Sequence, residues 1–295
     1  MRAPRNQAAP ADDALGQAID TAIRGEPRPL YGLLARSSGL PGVRANAGIV
    51  LAFASHCATR GKRADVLART MATLDADRAP GGTELEILPM CGVAALGVRA
   101  ASDDRVAAAC LDVLEAAAED LRFRVRDEVP RALARIGAVR GERLLDEVSG
   151  WMDGLFQAAA VLLAASDNQW LSQIAAHDVL LARMDEAFAL ARGADRATER
   201  YPGYKSLVDA LGSAPGVLAG RFGAPVFDHM VAWSTVKEPK LRDAITRSLG
   251  GTRLSRRFAS DVARVHRALD DTAPVRRDPT TYVGPTRRRG KKGGR

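Results

Sequence analysis

The residues of this chain best equipped for chemistry are four histidines, three cysteines and three tryptophans, and their spacing limits what they can do. His56, His177, His229 and His266 are spread along the sequence, whereas a metal site needs several His, Cys or carboxylate donors converging. No HExxH motif and no repeated His-Glu pair occurs, and Cys57, Cys91 and Cys110 form no CxxC. No Walker loop, dinucleotide fingerprint or GxSxG elbow is present. His177-Asp178 and Asp228-His229 read as helix-surface or cap residues, and the cysteines as reduced core thiols. Trp151, Trp170 and Trp233 stand near Asp153, Asp167 and Asp228, and a tryptophan in a helical stripe reads as core. The expectation is a protein without metal or cofactor and without an assembled catalytic motif.

The elements that carry these residues are helical and repeated. In Phe123 to Gly137, FRVRDEVPRALARIG, the apolar Val125, Val129, Leu133 and Ile136 follow helical spacing, and Arg124, Asp127, Glu128, Arg131 and Arg135 take the opposite face. The wording VRDEVPRAL returns as LRDAITRSL at Leu241 to Leu249, and more weakly as VRANAGIVL at Val43 to Leu51. Arg44, Arg126 and Arg242 are then in register, 82 and 116 residues apart. These gaps read as steps of about 40 residues, the period of a helical repeat array. Leu88-Pro89 matches Val129-Pro130 one step on, each proline falling near a helix start or kinking the helix just beyond. Gly137 to Gly141 reads as a tight connection, and the polar stretch Arg192 to Gly203 as a functional or variable loop.

Composition agrees. Aromatic residues are 5% of the chain, Ala and Leu dominate, and β-branched residues never alternate, which favours an all-α protein. The net charge of +8 is unevenly placed. Residues 272–295 hold Arg276, Arg277, Arg287, Arg288, Arg289, Lys291, Lys292 and Arg295 against Asp278, leaving +1 for the other 271 residues. The expected organisation is a disordered N-terminus at 1–11, a helical array at 12–271, and a disordered basic tail at 272–295 able to touch nucleic acid or an acidic partner. MRAPRNQAAPADD lacks the apolar core of a signal peptide, and Leu155 to Ala165 is too short to span a bilayer. The chain therefore reads as soluble and cytoplasmic, with no membrane contact.

The repeated element resembles the second helix of a HEAT repeat: Val125-Arg126-Asp127 with Leu133 and Gly137, and Leu241-Arg242-Asp243 with Leu249-Gly250. SSGLPGVRANAGIVLAFA is similar to uncharacterised bacterial HEAT-like proteins. The resemblance implies a right-handed α-α superhelix of roughly six helical pairs, in the armadillo-like class. It also implies a structural ladder between neighbouring repeats made by Arg126, Asp127, Arg242 and Asp243, with Arg44 in the copy that departs from the pattern by having Ala45 next. The expected function is a non-enzymatic scaffold presenting a concave surface to a protein partner, with the basic tail as accessory contact. The DNA alkylation-repeat glycosylases resemble this architecture distantly and use Trp and Asp in a groove. DNA binding or glycosylase activity is the alternative, and it requires a basic groove and an exposed tryptophan.

Overall fold

Residues 12–273 of the computed structural model are described, and they form helices and no strand. In chain order these are α1 (Asp12–Ile23), α2 (Arg28–Ser37), α3 (Ala47–Ala58), α4 (Lys62–Ala72), α5 (Ile87–Ser102) and α6 (Asp104–Ala118). Then follow α7 (Phe123–Arg140), α8 (Arg143–Glu147), α9 (Leu155–Ala165), α10 (Asn168–Leu171), α11 (Asp178–Arg192) and α12 (Pro202–Leu211). The last are α13 (Ala214–Phe222), α14 (Ala224–Trp233), α15 (Pro239–Ser248), α16 (Thr252–Arg257) and α17 (Ala259–Asp271).

The helix starts follow local chemistry. Asn46 accepts from the backbone N–H of Gly48 and Ile49, Asp103 from that of Arg105, and Asp167 from that of Gln169. Proline occupies the first turn of α2, α12, α13, α14 and α15, where its missing N–H has no intrahelical acceptor to lose. Gly141 closes α7 with φ at 60°, a conformation most side chains resist.

Helices two or three apart along the chain pack side by side: α3 on α5, α5 on α7, α7 on α9, α9 on α12, and α12 on α15. A second set covers them, with α4 and α6 against α5, α11 against α9 and α12, and α17 against α14. This division explains the apolar content of each helix. Every residue of α5 from Ile87 to Gly97 is buried, because neighbours cover it on all sides, whereas α4, α15 and α17 bury one stripe. The stretch Glu84–Ser102 is long and apolar enough to cross a membrane by length and composition, and 72% of its apolar window is buried among other helices.

Several boundaries differ from the sequence expectation. Arg44 precedes α3 and is not helical, since Asn46 caps the helix two residues later. Gly137 lies inside α7, which runs on to Arg140. The prolines are not equivalent: Pro89 stands in the first turn of α5, whereas Pro130 is interior to α7. Glu128 is buried, not on a solvated face, and both Arg131 and Arg135 bond to it at 3.0 Å. The last helix is tied down past residue 271: the Thr272 hydroxyl lies 2.6 Å from both Ser234 O and Ala268 O. The N-terminal segment 1–11 lies outside the described residues.

Candidate functional site

Two of the arginines selected by repetition, Arg126 and Arg242, hold backbone carbonyls at helix ends. Arg126 Nη1 donates to Asp120 O just past the end of α6, and its guanidinium stands 4.6 Å from the Phe156 ring centre. Arg242 Nη1 donates to Ser234 O and Val236 O, each at 3.0 Å, just past the end of α14, and Nη2 donates to Leu269 O. Arg126 thus reaches six residues back, and Arg242 six and eight, to hold the turn that leads into its own helix, and Arg242 also ties that turn to the end of α17. Their acidic neighbours pair with neither. Asp127 is exposed, and Asp243 bonds Arg247 Nε at 2.9 Å within α15.

Ion pairs between residues far apart in the chain are made by other arginines. Arg60, Arg99 and Arg140 stand at or just beyond the C-terminal ends of α3, α5 and α7, and reach back to Asp20, Asp65 and Asp104 respectively. The first two pairs close at 2.6 Å, and each partner lies 34 to 40 residues earlier. No shared local wording in the sequence marks these pairs.

Two of the repeat-selected residues meet elsewhere. Arg44 and Asp127 line one cavity of about 390 Å³ with Phe123, Arg124, Glu128 and Arg131, at the starts of α3 and α7. Arg124 locks this end by donating to buried Glu86 at 3.0 Å.

A second cavity, of about 540 Å³, gathers Asp185, Arg192, Asp228, His229 and Trp233 between α11 and α14. His229 Nδ1 lies 2.8 Å from Asp185 Oδ2, and Trp233 Nε1 donates to Asp185 Oδ1 at 2.8 Å. Trp233 stacks on Phe188 with ring centres 4.9 Å apart. A carboxylate holding an imidazole is the orienting half of a nucleophilic triad. The hydroxyl in the same cavity, Thr235, donates instead to Ala232 O, so among the described residues lining the cavity no hydroxyl is set against the ring. Asp228, the sequence neighbour, is paired to Arg264 at 2.6 Å. Asp185 stands 44 and 48 residues before His229 and Trp233, and no local pattern in the sequence ties it to them. Trp151 and Trp170 are buried, and Trp170 donates from Nε1 to Gly141 O at 2.9 Å, so only Trp233 of the three is partly exposed.

The largest of these cavities, about 680 Å³, opens between α10, α13, α15 and α16. Arg221, Arg247, Arg253 and Arg257 line it, and no carboxylate does. Arg247 is held by Asp209 at 3.3 Å and by Asp243. Arg221, Arg253 and Arg257 form no ion pair among the described residues, and Arg257 donates to Gly220 O at 3.1 Å. Leu171, Val217, Leu254 and Phe258 give the groove apolar surface, and Val217 is 45% exposed. From Gly212 to Phe258 the chain carries eight basic residues against three acidic ones, so a body that is nearly neutral in sum is strongly basic here. The basic-tail residues Arg276, Arg277, Arg287, Arg288, Arg289, Lys291, Lys292 and Arg295 lie outside the described residues. Among the described residues no group of three or more His, Cys, Asp or Glu could hold a metal ion. Compared with known proteins, the chain matches no family model, no curated protein and no solved structure.

Proposed function

We propose that the chain is a HEAT-like α-solenoid that acts as a non-enzymatic scaffold, holding a protein partner in the arginine-lined groove, with the basic tail as accessory contact. The observation that carries this reading is the groove itself: four arginines over apolar surface, three of them without an ion-pair partner among the described residues. Support for the repeat architecture comes from the ion pairs that join residues about one period apart, Arg60 to Asp20, Arg99 to Asp65 and Arg140 to Asp104. The alternative is binding of DNA, favoured by the same arginines and by the partly exposed Trp233 beside Asp185.

A photo-crosslinking amino acid at Val217 separates the two. Capture of a protein adduct in cells, lost when Arg221 and Arg253 are both changed to Glu, supports the scaffold. A nuclease-sensitive adduct transfers the groove to the alternative reading.

A further inference from the structure

We propose that the groove between α13, α15 and α16 takes an acidic peptide segment that carries an apolar anchor side chain. This rests on the scaffold reading and names the chemistry of the partner.

The sign of the ligand follows from the lining, which holds four arginines and no carboxylate. Arg247 is already held by Asp209 and Asp243 and forms a fixed wall, while Arg221 and Arg253 are exposed and form no ion pair among the described residues. Guanidinium forks of this kind bind carboxylates bidentately. The segments 1–11 and 272–295 both carry net positive charge and do not complement this lining.

The anchor follows from shape. Gly216 and Gly220 stand one turn apart on α13, Gly212 stands just before that helix at the end of α12, and all three line the groove. Their roles differ. A β-carbon on Gly216 would stand 2.0 Å from Ser248 O, so this glycine lets α13 and α15 meet. A β-carbon on Gly220 would meet nothing within 4 Å, so the space beside it is open and a side chain there would occupy it. Exposed Val217 on the same helix supplies apolar surface. A nucleic-acid strand would gain from bare aromatic platforms for its bases. The one ring that lines the groove, Phe258, has the Arg257 guanidinium 4.9 Å from its centre. An apolar side chain flanked by carboxylates satisfies both the floor and the rim.

The test is fluorescence anisotropy on the full chain with three labelled probes: a peptide of about 12 residues alternating Glu with Leu, the same peptide with Ser for Leu, and a thymidine oligonucleotide of similar charge. The variants are Gly220→Leu, which fills that space at unchanged charge, the double change Arg221→Glu with Arg253→Glu, and Arg63→Glu on α4 as a control of equal sign. The Glu/Leu peptide is expected to bind at least about tenfold more tightly than either other probe. Each groove variant should weaken it by about tenfold or more, with Arg63→Glu unchanged and circular dichroism showing all variants folded. Equal binding of the Ser peptide, tighter binding of the oligonucleotide at about 150 mM salt, or indifference to both groove variants would overturn the proposal. The Val217 crosslink reads the scaffold separately. A protein adduct combined with any of those results leaves the scaffold standing and removes this account of its partner.

Discussion

A β-carbon on Gly137 would stand 2.2 Å from two ring carbons of Trp170, which makes this glycine the socket for the largest fully buried side chain. Gly137→Ala should therefore destabilise by about 1–3 kcal/mol despite the gain in helix propensity, because the indole must shift in a close-packed core. A urea midpoint at or above that of the parent would refute this packing argument. Arg242 offers a second test at this scale. Its guanidinium satisfies carbonyls at the ends of two helices, at Ser234, Val236 and Leu269. Arg242→Met is expected to cost about 2 kcal/mol, since charged hydrogen bonds are lost and the carbonyls left bare. The same change at exposed Arg253 should cost nothing measurable by thermal melting. The thiols give a third. Cys57, Cys91 and Cys110 are free and buried, and burial pushes the Cys57 thiol up to about 12. A disulfide reagent at about pH 8 should meet no native thiol and should titrate all three in denaturant.

Between elements, the pairs Arg60–Asp20, Arg99–Asp65 and Arg140–Asp104 join α1 to the end of α3, α4 to α5, and α6 to α7. Arg99–Asp65 is the most enclosed, with side chains 11% and 21% exposed, and a double-mutant cycle at this pair should give the largest coupling of the three. Two of these pairs, with Arg105–Asp103 beside them, also set a pH dependence. The Arg60 side chain holds the Asp20 carboxyl below its usual range, Arg140 does the same for Asp104, and Arg105 for Asp103. A carboxyl depressed in the folded state contributes stability above its unfolded value of about 4 and loses it as pH falls below that. Urea midpoints should hold from neutrality to about pH 5 and decline below about pH 4. Asp104→Asn should flatten the decline, and an unchanged slope would show that the pair carries no linkage.

At the scale of the whole molecule, charge is segregated, with the excess of basic residues in Gly212 to Phe258 and in the tail. Full-length protein should bind duplex DNA weakly and with a steep salt dependence, and truncation should remove most of that slope. The cut belongs after Ala273 and not after Asp271, since Thr272 anchors α17 to Ser234 O. Salt-dependent binding of equal strength by residues 1–273 would move the contact to the groove.

The helical periodicity of Val125, Val129, Leu133 and Ile136, and the caps at Asp103 and Asp167, determined by themselves an all-α chain and most of its helix positions. Such signals are local, set by 3.6-residue geometry and by unsatisfied N–H groups at helix starts. The burial of Glu128, the seating of Trp170 on Gly137, the His229–Asp185–Trp233 cluster and the arginine groove were decided only by tertiary structure. Each brings together residues from different helices, about 30 to 50 positions apart in the clearest cases. Identical arginines serve as a turn clasp, a ladder rung or a groove wall according to which neighbouring unit they face, and no local pattern records that.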